Sequence, residues 1–292
     1  MRFQNFKFLS KNIFKVLLLS GFTLFSLKAW SMIKALNTAA TGMAAQETNV
    51  DTISNNISNL NTTGYKKQRA ETEDLLYETV TEAGARSSAN TQYTVGVQIG
   101  SGSKISAIRK TFTQGSPKPT NNPFDLMISG EGFIGISMPN GEIQYTRDGA
   151  FSLDNTGTLV TKAGHRVLPG LTFPQNLVSV NISEDGNVDA YLNGQVEPNN
   201  LGVIPIFTFA NPSGLRAMGG NLYRATSASG APVQNVPGQN NAGKVQQGFL
   251  ETSNVRVMDE MTNLIKAQRA YEMNAKVMNV ADQMLQTVNN IR

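Results

Sequence analysis

Few residues in this chain have types and spacing that suit chemistry. Residues 130–135 read GEGFIG, the G-x-G-x-x-G spacing that closes a strand-to-helix turn around a pyrophosphate. The residues around and after it, GFIGISMPNG, read as a strand and a hairpin turn, with no helix start to receive phosphate. These glycines are expected at a tight β-turn or bulge. The single histidine, His165, sits in AGHRVLPG. A lone imidazole is poor material for a zinc site or a Ser-His-Asp triad, and a surface or turn position is expected. Glu71, Glu73, Asp74 and Glu78 form an acidic cluster whose spacing matches no calcium loop, and they read as a solvated face. Glu131 and Asp148 are the types a glycoside hydrolase pairs, but nothing in the sequence brings them together. Lys66, Lys67 and Arg69 read as exposed cations at the end of a helix, where they suit its dipole. There is no Cys, which excludes disulfides, thiolate metal sites and Cys nucleophiles. The expectation is no catalytic residue, no metal site and no cofactor.

The charge balance removes another class. The chain of 292 residues has a formal net charge of +4. Five Lys or Arg and no acid fall in residues 1–31, so the remainder carries −1 and shows no overall nucleic-acid signature. Residues 1–31 join a basic stretch to a short apolar run, VLLLSGFTLFSL, with Ala29 and Ser31 before a cut at Met32. They resemble a secretory signal peptide; the alternative is a chain start at Met32. Both readings leave these residues out of the fold.

The elements expected to position the rest are two terminal helices around a β-patterned middle, an α+β fold. In residues 32–65, Leu36, Met43, Val50 and Ile57 recur every seventh position, flanked by Ile53, with Ser31 as N-cap. Residues 66–110 read as an extended, partly irregular bridging segment. Residues 111–228 read as an antiparallel β-domain, because PNGE, DNTG, EDGN and LNGQ separate short apolar runs. Residues 229–250 are rich in Gly, Pro, Asn and Gln and read as an exposed connector. In residues 251–292, Leu264, Tyr271, Met278 and Leu285 form a seven-spaced row, and Ser253 or Asn254 can cap the helix. Ala267, Ala281 and Val288 lie beside that row, interrupted by Asn274. Two such helices can bury only part of their apolar surface against each other. The seven-spaced residues are therefore expected as contacts between subunits of a coiled-coil domain.

Two stretches carry a resemblance. ATGMAAQETNVDTISNNISNLNTTGYKKQRA, with Asn55, Asn56, Asn59 and Gly64, resembles the N-terminal motif of the bacterial flagellar rod and hook family. ETSNVRVMDEMTNLIKAQRAYEMNAKVMNVADQMLQ, with Gln268, Arg269, Tyr271 and Asn274, resembles its C-terminal motif. The likeness extends through residues 32–292, and DLLYETVTEAGARSS…GVQIGSG resembles the segment of the distal-rod subunit. The resemblance implies a homo-oligomeric helical tube that transmits torque from motor to hook. It also implies proximal-rod and hook-family subunits and flagellar ring proteins as partners, type III export and a periplasm-spanning location. The other class in view is a secreted β-rich enzyme or carbohydrate-binding protein that oligomerises through its terminal helices. The leader departs from a type III substrate, which normally has no cleaved signal. N-terminal sequencing of the native subunit is expected to read from Met32; a native N-terminus at Met1 would contradict both readings of the leader.

Overall fold

A computed structural model describes residues 33–88, 91–194 and 197–290. Residues 1–31, and with them the leader and the Ser31 cap, lie outside the described residues. The chain is α+β: a first helix, α1, over residues 33–58, a β-rich middle, and a last helix, α2, over Val257–Asn290. Two compact units divide it, one formed by residues up to Thr52, Ala70–Ile108 and Thr262 onward, the other by Ile53–Arg69 and Arg109–Met261.

In the first unit the helices meet through small side chains. Ala39 and Ala45 are buried on α1, and Ala267 and Ala281 on α2. A Cβ placed on Gly42 would stand 2.8 Å from the Asn274 side-chain nitrogen, so a larger residue there would make the Asn274 amide shift. Asn274 therefore continues the small-residue row rather than interrupting it. The segment expected to be partly irregular is drawn into antiparallel ribbons: Tyr77–Thr81 pairs with Val97–Gly100, and Arg86–Ser88 with Thr91–Gln92. Lys34 ties α1 to the first of these ribbons, donating to Glu78 at 2.6 Å and to the Ile99 carbonyl at 3.4 Å.

The second unit holds the apolar core. Among the described residues a nine-stranded sheet is centred on Phe133–Ser137, which pairs with Ile143–Thr146, Arg166–Val167 and Ile206–Thr208. A three-stranded sheet, Leu177–Ile182, Asn187–Leu192 and Asn199–Val203, shares its core. The turn residues act by hydrogen bonding and positive φ. In PNGE, Gly141 takes φ 82° while the Asn140 side chain accepts from the Glu142 amide at 3.0 Å. Leu126, Ile134, Ile136, Leu159, Ile206 and Val188 are almost wholly buried, each contributing roughly 1.5–3 kcal/mol. A second cluster is aromatic: Tyr145 meets Phe207 and Phe209 edge-on at 5.3 and 4.9 Å, and Phe133 meets Phe112 at 5.5 Å.

Residues 229–250 are not an exposed connector. Lys244–Gln247 pairs with Leu126–Ser129, Phe249–Glu251 with Pro117–Pro119, and Val245 is 1% exposed. Their Gly, Pro and Asn content reflects turns between short strands, such as the positive φ at Asn240 and Asn241. Val245→Ala is expected to cost roughly 1.5–3 kcal/mol in urea unfolding. Val236→Ala, at an exposed position of the same segment, should stay within about 0.5 kcal/mol, and equal effects would return the segment to a connector.

Candidate functional site

The densest polar chemistry in the described residues lies where the chain leaves α1 and where it enters α2, inside the second unit. α1 stops at residue 58. Asn59 then folds back, its side-chain amide donating to the Asn55 carbonyl at 2.9 Å and its oxygen accepting from Thr62 Oγ1 at 3.1 Å. Gly64 takes φ 67° and lies against backbone: a Cβ there would meet the Arg147 carbonyl carbon at 2.7 Å. Asn56, buried on α1, makes four hydrogen bonds to three residues. Its Oδ1 accepts from the Gln68 amide at 2.8 Å and from the Tyr65 hydroxyl at 3.2 Å. Its Nδ2 donates to the Gln68 carbonyl at 2.8 Å and to Glu260 Oε2 at 3.1 Å. Tyr65 also donates to Asn55 Oδ1 at 2.7 Å. Burial, aided by the Glu260 charge, pushes the Tyr65 hydroxyl up to about 12.

Beside this lies a buried ion cluster. Lys66 is fully buried and donates to Glu251 Oε1 at 2.6 Å and to the Thr113 carbonyl at 2.9 Å. Glu251, also buried, accepts further from the Gly115 amide at 2.8 Å and from Arg147 at 3.4 Å. Arg147 donates on to the Gly130 carbonyl at 2.6 Å and lies over the Phe133 ring. Burial draws the Lys66 ammonium below its ordinary value; Glu251 opposes that shift and Arg147 adds to it. Lys67 pairs with the buried Glu260 of α2. The reading of Lys66 and Lys67 as exposed helix-end cations is thus overturned: Lys66 is enclosed beside Glu251, and Lys67, only partly exposed, pairs with the buried carboxylate of Glu260. Arg69 is exposed.

Asn254 is not a helix cap. α2 begins at Val257, and Asn254 is a cross-tie: its Oδ1 accepts from the Lys67 amide at 2.7 Å, and its Nδ2 donates to the Thr111 carbonyl at 2.8 Å and to Thr113 Oγ1 at 2.9 Å. Ser253 Oγ accepts from the Val255 amide at 3.3 Å, short of the helix start.

The other candidates lie apart. Gly130 and Gly132 sit at φ 114° and 128° between the strands Leu126–Ser129 and Phe133–Ser137, a β-connection with no helix. His165 occupies the turn before Arg166–Val167, its carbonyl accepting from the Thr161 amide at 2.8 Å. Glu78 pairs with Lys34 and Glu73 with Lys104 at 3.7 Å. Asp148 stands 3.5 Å from Lys162, whereas the Glu131 charge acts on Arg147. A hollow of about 270 Å³ is lined by Thr146, Asp148, Thr161, Lys162 and Asn221. Its polar atoms are committed locally, since Thr146 Oγ1 donates to the Asn221 carbonyl at 2.9 Å and Asp148 Oδ1 accepts from the Ala150 amide at 3.1 Å. Among the described residues no three His, Asp or Glu gather as a metal site.

Of the residues with expected roles, Asn55, Asn56, Asn59 and Gly64 come together at the α1 exit. Gln268, Arg269 and Tyr271 are exposed on α2, and Asn274 faces Gly42. Ile53 is buried; Leu36, Met43, Val50, Ile57, Leu264, Met278 and Leu285 are half-buried. Glu251, Glu260 and Arg147 escaped the sequence reading, which makes Asn254 a candidate cap. A partial signal existed: Glu260 stands seven residues before Ala267, so Glu260, Ala267, Asn274 and Ala281 continue one row.

Buried charges and amides here join chain segments far apart in sequence, the arrangement of a protein organised around its terminal helices. Comparison with known proteins gives that class a family. Residues 36–66 match the model of the flagella basal body rod protein, 127–190 that of the flagellar hook protein FlgE/F/G D1 domain, and 246–291 that of the flagellar basal body rod FlgEFG protein C-terminal. The flagellar basal-body rod protein FlgG of Caulobacter vibrioides is 48% identical over 261 residues, covering 89% of this chain and 100% of that protein. FlgG of Borreliella burgdorferi is 47% identical over 263 residues (89% and 99%), and that of Bacillus subtilis 38% over 266 (89% and 100%). The chain belongs to the flagellar basal-body rod and hook family. Within that family it is a structural subunit of the distal rod, part of the organelle of bacterial motility.

Lys66→Met is expected to cost about 3–5 kcal/mol in urea unfolding, because it strips Glu251 of its nearest cation inside the protein. Glu251→Gln should cost a similar amount by leaving two buried cations. Lys162→Met, at a pair whose lysine is 68% exposed, should cost less than about 1 kcal/mol. Equal, small losses at all three positions would remove the cluster's structural role.

Proposed function

We propose that this distal-rod subunit polymerises into a hollow helical tube whose inner layer is a coiled coil of terminal helices, a drive shaft passing torque from motor to hook. Its neighbours in this reading are further copies of itself, proximal-rod and hook-family subunits, and ring proteins around the rod. It is exported and works in a rod that crosses the periplasm, and it catalyses no reaction. Full-length relatives that are rod proteins leave the enzyme or carbohydrate-binding alternative without support.

The observation that carries the assembly reading is the width of the apolar surface on α2. The row most buried within this chain is narrow: Ala267 and Ala281, with half-buried Asn274 between them. At about 100° per residue, Leu264, Tyr271, Met278 and Leu285 lie about 60° to one side of it. Met273, Val277, Val280 and Met284 lie about 60–100° to the other side. These last four are 61, 49, 48 and 48% exposed. An apolar face this broad exceeds what one partner helix covers and suits a helix packed among several. Over 34 residues α2 spans about 51 Å, enough for successive partners along its length.

Val280→Lys is expected to leave the monomer's helical circular dichroism unchanged while abolishing sedimentable polymer and, in cells, motility. Lysine keeps helix propensity but cannot be buried cheaply in an apolar seam. Polymer formed as readily as by the parent chain would sink the role assigned to this face.

A further inference from the structure

With 11 Met and no Cys, the chain's oxidisable sulfur is entirely thioether. Its placement is uneven. Met127 is buried at 2% exposure, and Met43, Met138 and Met278 are half-buried. Among the described residues five methionines are exposed, and four of these lie on α2: Met258 (78%), Met261 (49%), Met273 (61%) and Met284 (48%). Only Met218 is exposed elsewhere in the described residues. Met273 and Met284 are eleven positions apart, three helical turns, and so belong to one stripe with Val277 and Val280.

We propose that these four α2 thioethers form an oxidation-sensitive element that gates assembly: peroxide reaching the free subunit converts them to sulfoxides and blocks packing of α2 against further copies of the chain. The proposal rests on the assembly reading above, in which α2 packs among further copies of the chain: Met273 and Met284 lie on the exposed stripe described there, and Met258 and Met261 lie in the first turns of α2, off that stripe. In the chemical step the sulfur lone pair takes one oxygen of hydrogen peroxide. The O–O bond breaks, sulfur loses two electrons, and the remaining oxygen leaves as water. The product carries a strong hydrogen-bond acceptor on a side chain whose flexibility and apolar surface suited it to an adaptable seam. Burying that acceptor between helices without a donor is unfavourable. Methionine sulfoxide reductases return the thioether, so the block is reversible.

The test uses the full chain, hydrogen peroxide, peptide mass spectrometry and sedimentation. Met258, Met261, Met273 and Met284 should each gain about 16 Da well before Met127 does. The protein concentration needed for polymer should rise at least about tenfold, and treatment with the reductases should restore it. The variant M258L/M261L/M273L/M284L keeps apolar volume and should assemble with or without peroxide. The paired variants M258L/M261L and M273L/M284L keep the test decisive where four changes together disturb α2. M218L should remain as sensitive as the parent. Equal polymer from oxidised and untreated parent chains overturns the proposal, as does a quadruple variant that peroxide still disables. An untreated parent chain that never polymerises overturns the assembly reading itself.

Discussion

The carboxylate of Glu251 is the point on which the second unit depends. One buried group accepts from Lys66 just past α1, from the Gly115 amide and from Arg147 of the β-domain. The backbone beside it adds further ties: the Gly64 amide donates to the Glu251 carbonyl at 2.8 Å, and the Thr252 amide to the Ser116 carbonyl at 3.0 Å. Such a cluster adds little net stability over a well-packed apolar replacement. Its effect is on choice among structures, since any other pairing of these segments would leave a charge buried without its partner.

Steric conditions follow from the same junction. Gly64 is required by its positive φ and by its closeness to the Arg147 backbone, so the NTTG phrase does more than end a helix. Gly115 is likewise pressed against the Thr252 carbonyl, where a Cβ would overlap it. Around them the aromatic cluster carries the load that the buried charges cannot. Phe112, Phe133 and Tyr223 interlock edge-on, and Lys110 lies 4.8 Å from the Tyr223 ring, which holds the segment entering the β-domain. Burial pushes the Tyr223 hydroxyl up to about 12, consistent with its place inside this cluster.

Much of the fold is legible in local pattern. The turn phrases PNGE, DNTG and EDGN sit where strands reverse, because the Asn140, Asp154 and Ser183 side chains accept from nearby backbone amides and Gly accepts positive φ. α1 ends at residue 58 and α2 begins at Val257, seven and six residues inside the expected ranges 32–65 and 251–292. Legibility fails at 229–250, where short strands separated by turns share the composition of a linker and differ from one only by having strand partners elsewhere in the chain. It fails again at Lys66, because burial of a lysine depends on a carboxylate 185 residues away.

By itself, the sequence determined the α+β plan, the absence of cysteine chemistry, the helical stripes and, through its two terminal motifs, the family. These depend on periodicity, turn chemistry and residue identity, all of which are local. Only the tertiary structure decided which stripe is covered within the chain, that Asn274 packs against Gly42, that Asn254 ties the segments at Lys67 and Thr111–Thr113 rather than capping a helix, that Lys66 is enclosed beside Glu251, and that Lys67 pairs with Glu260. Each of those outcomes is set by a partner distant in the chain, and neither spacing nor composition carries information about which distant group will arrive.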